Sequence, residues 1–242
     1  MSVHFAIPAT SFVLRAIIQA RLKASYGTFL PPTVSIEPPP RPPAPTPGNG
    51  VAEPAGLILY MHHAGANPAW RNMYDPHIDG RGKRFAKAPL VLDLHYMLAA
   101  QGLDLEREAV LGIGMSALHR NAIVPRPMIQ QILGAITIPS VPSKLMDSLT
   151  GEPLADPNNQ PESITISQQA VDIDMSTKLW SAMQSPIRPC AYYLVTTVFL
   201  DTGEVFPAGA AVDNVAIAGR PVADPAADPA GDDKIVWPEP GP

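Results

Sequence analysis

Cysteine is almost missing. Cys190 is the one thiol in 242 residues, which excludes a disulfide framework and every zinc or iron–sulfur site that needs several cysteines. Long apolar runs are missing too: the longest, Ala191–Leu200, is interrupted by two Thr and two Tyr, well short of the ~18–20 apolar residues that span a bilayer. The chain therefore reads as soluble. There is no basic leader at the N-terminus, and Arg15 splits the first apolar stretch, so no secretory signal is expected. Arg15, Arg21 and Lys23, with no acid before Glu37, faintly resemble a transit peptide; an ordinary first helix is the plainer reading. Positive charge is also short, with a net charge of −5. Without a basic surface there is little to hold phosphates, which argues against a nucleic-acid partner.

What is abundant is proline. With 30 Pro, 17 Gly and 46% hydrophobic residues, the sequence describes one ordinary domain with a real core and sizeable irregular segments. The prolines must lie outside that core's helices and central strands. Charge is polarised along the chain: residues 1–92 carry +5, residues 93–200 carry −4 and residues 201–242 carry −6. Such polarity favours head-to-tail contacts between copies.

Pro8 can open a helix in which Val13, Ile17, Ala20 and Ala24 recur at helical spacing until Gly27. Residues 33–37 alternate like a short strand, and the Pro-rich loop 38–50 cannot continue it. Residues 56–62 predict a largely buried strand. Residues 89–98 predict the strongest one, with Leu90, Leu92, Leu94, Tyr96 and Leu98 on one face and Asp93 and His95 on the other. A helix is expected from Asp104 to about Asn121, residues 125–161 read as a long surface excursion, and residues 163–167 as a strand. Asp172 is placed to cap a short helix presenting Leu179, Trp180 and Met183, and a last long strand covers 191–200. The Ala, Pro, Asp and Gly-rich remainder has too little apolar surface to fold alone.

Catalytic signals are weak. Gly112-Ile-Gly114-Met-Ser-Ala117 matches a dinucleotide-binding pattern, but no buried strand precedes it and no acid follows before Asp147. Close packing of a helix is the better account of those glycines. The stretch 114–118 fails the nucleophile-elbow pattern because Leu118 holds its fifth position. A metal-dependent hydrolase could use Asp93 and His95 with His62 or His63. The two adjacent histidines are expected on opposite strand faces, and Asp93 and His95 are expected to form a polar pair. Cys190 reads as a packing residue. No catalytic, cofactor-binding or metal residue is therefore assigned.

Five stretches in order, 55–72, 88–100, 108–124, 162–183 and 188–203, carry a resemblance. Their specific pieces are Leu59-Tyr60 leading to Arg71-Asn72, Pro89-Leu90 followed by Leu92-Asp93-Leu94-His95-Tyr96, and Lys178-Leu-Trp180 before Tyr192 and Tyr193. Together they resemble the tail-terminator or cap family of phage-tail-like extracellular contractile injection systems of the antifeeding-prophage type. The resemblance covers 5–203 and implies an α+β fold, a twisted mixed sheet with helices packed on it. It also implies a non-enzymatic cap domain over 1–203, with Pro-rich loop 38–50 and insertion 125–161, and an acidic tail over 204–242. The implied role is a hexameric ring on the baseplate-distal end of the particle, bound to the last inner-tube and sheath rings and assembled in the cytoplasm. Strand addition at a sheet edge is one mode the sheath contact could take. Candidate contact residues are Trp70, Arg71, Asn72, Arg81, Lys83 and Arg84. The hydrolase, and an adaptor acting through the Pro-rich loop and acidic tail, remain as alternatives.

Overall fold

The computed structural model describes residues 5–41, 53–70, 88–136 and 151–200. The first unit of the chain, Met1–Phe206, holds all of them; the second, Pro207–Pro242, lies outside the described residues. Ten elements follow in order: α1 (Ala6–Tyr26), β1 (Thr33–Ser35), β2 (Gly56–Ala66), β3 (Leu90–Gln101), α2 (Asp104–Arg120), β4 (Ile123–Val124), α3 (Arg126–Gly134), β5 (Ile164–Gln169), α4 (Ile173–Met183) and β6 (Cys190–Leu200). The strands form one six-stranded sheet in the order β1-β2-β3-β6-β5-β4. β1 runs parallel to β2 and every other pair is antiparallel, so the sheet is mixed. Mixed sheet and packed helices make this the expected α+β fold.

The long hydrophobic strands sit in the middle because they bury both faces. Leu57, Leu59, Leu92, Leu94, Tyr96, Leu98, Tyr193 and Val195 point into the main core beneath α1, α2 and α3. The opposite faces of the same strands supply Ile58, Met97, Ala99 and Tyr192 to a smaller core closed by Trp180 of α4. The two edges are short, three residues in β1 and two in β4, which leaves little unpaired backbone for another chain to join.

Several expectations need correcting. The buried stripe of α1 runs through Ala6, Ala9, Thr10, Val13, Leu14, Ile17, Ile18 and Leu22, with Ala20 and Ala24 outside it on the exposed side. Leu90 is exposed at the start of β3, unlike the buried Leu92, Leu94, Tyr96 and Leu98. Asp172 occupies the N-cap position of α4, but its side chain makes no capping bond; its carbonyl accepts from the Ser176 amide instead. The excursion 125–161 is in part core: Ile129, Leu133 and Leu154 are buried in the main cluster.

Gln160, at the end of that segment, shows why. The β3–β6 ladder slips between Leu92 and Leu94, and Thr197 of β6 takes a left-handed φ of 62° to absorb the extra length. The bulge interrupts the ladder's hydrogen bonding. Gln160 supplies partners, accepting from the Phe199 amide at 3.1 Å and donating to the Thr197 carbonyl. An amide side chain can do both at once, and Gln160 is only 2% exposed while doing so.

Candidate functional site

Next to the smaller core, β2, β3, β5 and β6 bring His62, His63, His95, Gln169 and Tyr192 together. A β-bulge between Met61 and His63 adds one residue to β2 opposite β3. That extra residue defeats the expected alternation: His62 and His63 both come to His95, with ring centroids 6.0 Å and 5.2 Å from it. Tyr192 meets the His62 ring edge-on at 5.9 Å. Burial, then the neighbouring His95 and His63, hold the His62 pKa below the usual imidazole value.

Asp93 and His95 do not pair. The Asp93 carboxylate accepts from the Asn67 side-chain amide at 2.8 Å, and His95 Nδ1 lies 3.0 Å from Gln169 Oε1. Asn67 uses its side-chain oxygen to accept from the Ala69 and Trp70 amides, so the Asp93–Asn67 bond anchors the turn that leaves β2. The carboxylate proposed for metal-dependent hydrolysis thus holds a turn. Among the described residues, no group of three or more His, Cys, Asp or Glu side chains is placed to share a metal ion. Among the described residues, the cluster is a half-exposed hydrogen-bonding surface.

Trp70 stands at the end of this turn, its ring edge-on to Phe199 of β6 with centroids 5.1 Å apart. Arg71, Asn72, Arg81, Lys83 and Arg84 lie outside the described residues. Gly112 and Gly114 separate: a Cβ on Gly114 would stand 2.8 Å from Leu57 Cδ1, whereas one on Gly112 would meet nothing within 4 Å. Close packing therefore requires the second glycine only. Cys190, half-buried at the start of β6, packs beside the smaller core.

An ion pair with a buried guanidinium had no signal in the sequence. Arg188, 6% exposed, reaches Glu53 at 2.7 Å and donates more weakly to Gln101 Oε1 and the Pro40 carbonyl, both at 3.4 Å. Ser185 donates to the same carbonyl at 3.2 Å. Arg188 thereby ties Pro40, near the start of the Pro-rich loop, and Glu53, just after it, to the sheet end where β3 stops and β6 starts. A guanidinium can serve several acceptors in one plane, but its partners are scattered along the sequence.

Set beside known proteins, the sequence matches the Pvc16 N-terminal domain over residues 9–214. No curated protein sequence matches. Among solved structures, it is similar at 12% identity and a TM-score of 0.44 to the sheath/tube terminator of an extracellular contractile injection system, PVC, in its extended state, covering 86% of this chain and 63% of that one. It is similar at 12% identity and a TM-score of 0.43 to the tube-terminating cap of the anti-feeding prophage, covering 83% of this chain and 59% of that one. The chain thus spans about three-fifths of the length of each. With the match extending over most of its length, the chain belongs to the Pvc16 N-terminal domain family.

Proposed function

We propose that this protein is a structural cap, the terminator of a contractile injection particle. It forms a ring, hexameric in the simplest case, on the baseplate-distal end, where it contacts the last inner-tube ring and the last sheath ring. The observation that carries this reading is the family match over residues 9–214. A ring closed by head-to-tail contacts has no free ends within its plane, and a distal surface that offers no further docking site stops growth along the axis. Its short edge strands fit that second requirement. Six repeated contacts let individually modest interfaces hold the ring in place.

Tube and sheath contacts are proposed for Trp70, Arg71 and Asn72 and for the basic residues Arg81, Lys83 and Arg84. The particle is assembled in the cytoplasm and is able to act outside it. The test is to label the protein in purified particles and image them: the label should sit at one end only. Label spread along the shaft, or absent from particles, would remove the proposal.

A further inference from the structure

Groups that change charge with pH are gathered at one place on the sheet. His63 lies opposite His95 in the β2–β3 ladder. The bulge brings His62 to the same ring, so His95 has imidazole centroids at 5.2 Å and 6.0 Å. An imidazole gains its positive charge between about pH 5 and pH 8, and three this close cannot all become charged without repulsion. His95 Nδ1 donates to Gln169 Oε1 whether the ring is neutral or charged, so that bond is kept in both states. What acid changes here is charge.

Little nearby offsets that charge. Among the strands that meet here, Asp93 of β3 is the one carboxylate, and its Oδ1 already accepts from Asn67 at 2.8 Å. β5 offers the uncharged Gln169. β6 offers Cys190 and Tyr192, whose hydroxyl bonds Ser176 at 2.7 Å and is pushed up in pKa by burial, so it stays neutral. α4, reached through Ser176, carries Asp172, Asp174 and Lys178, the last two paired with each other at 2.6 Å. The strand beyond the bulge is also weakly held. His63, Ala64 and Ala66 are exposed and Gly65 has no side chain, so little apolar burial keeps this stretch on β3. Its far end is fastened by the Asn67–Asp93 bond and by the Asn67 amide, which donates to the Val91 carbonyl at 2.8 Å.

We propose that His62, His63 and His95 form an acid-sensitive catch: when more than one of them is charged, repulsion across the ladder frees residues 61–66 of β2, and the turn after them, from β3. The catch is a property of the chain by itself and stands whether or not the protein is a cap. Burial, then His95 and His63, hold His62 below the usual imidazole value. The released segment therefore takes up a proton more readily than the docked one, and docking weakens as pH falls through about 6.5.

The test is amide hydrogen exchange of the full chain from about pH 7 to about pH 5, corrected for the intrinsic exchange rate. It compares the natural protein with His63→Gln and with the double variant His62→Gln, His63→Gln, which keeps polar side chains but cannot charge them. In the natural chain, protection of residues 61–66 should fall by about tenfold or more relative to β6, and in the double variant by less than about threefold. Ring-proton titration by NMR is the second measurement: His62 should titrate below the ordinary imidazole range, and closer to it in His63→Gln. Three exchange results would overturn the proposal: protection of 61–66 that does not fall, an equal fall in the double variant, or an even fall across the whole sheet. Should the double variant fail to fold, the titration decides, since a His62 that titrates at the ordinary value and ignores the loss of His63 removes the catch.

Discussion

Two glycines on one helix give a direct test of how α2 is seated. Each Gly→Ala change in a helix interior gains about 1 kcal/mol in helix propensity. At Gly112 nothing opposes that gain, since an added methyl meets open space. At Gly114 the methyl would stand 2.8 Å from Leu57 Cδ1, 3.1 Å from Leu98 Cδ2 and 3.8 Å from Ile18 Cγ2. Leu57 and Leu98 are fully packed, at 1% and 0% exposure, so neither can swing aside freely. Overpacking of this kind costs about 1–3 kcal/mol. The propensity gain is common to both variants and cancels in their difference. Gly112→Ala should therefore be more stable than the natural protein by about 0.5–1 kcal/mol, and Gly114→Ala less stable than Gly112→Ala by about 1–3 kcal/mol. In a domain of this size the two melting temperatures should differ by about 2–12 °C. Urea unfolding with an unchanged slope measures it. Equal stability of the two variants would refute the packing of α2 on β2 and β3 described above.

The Arg188–Glu53 pair should respond unequally to loss of its two members. Glu53→Ala strands a buried guanidinium and should cost about 3 kcal/mol, whereas Arg188→Met leaves a carboxylate, 36% exposed, that water can reach, and should cost about 1–2 kcal/mol, both read by urea unfolding. Burial pushes the Glu152 carboxyl up to about 7, and its Oε2 has no hydrogen-bond partner. A carboxyl whose pKa is higher in the folded state than the unfolded one holds its proton better when folded, so its contribution to stability falls as pH rises from about 4.5 to about 7. Glu152→Gln should remove that slope and stabilise the protein at neutral pH by about 1–2 kcal/mol, the full shift being reduced because the group is only partly buried; an unchanged slope in the variant would contradict the assignment.

The sequence announces the central strands well, because both are long and buried on both faces, β3 rich in leucine at alternate positions and β6 rich in β-branched and aromatic residues. α1 and α2 are announced by spacing and by the acids at the start of α2. What the sequence hides are the places where the two-residue period breaks. Nothing in Met61-His62-His63 marks the bulge that turns two neighbouring histidines toward His95. Thr197 likewise gives no sign of its left-handed backbone. A proline-rich composition made 125–161 read as surface, although Ile129, Leu133, Leu154 and Gln160 are all buried. Gln160 is the instructive case, since a polar residue among prolines looks solvated until the bulge it completes is known.

The claim that matters most is that this protein ends the growth of a cylinder. Particle lengths measured by electron microscopy, with the gene present and deleted, test it most directly. The account predicts one narrow length with the gene, and tubes or sheaths of irregular length without it, corrected when the natural chain is restored. Particles of the same narrow length in its absence would contradict it.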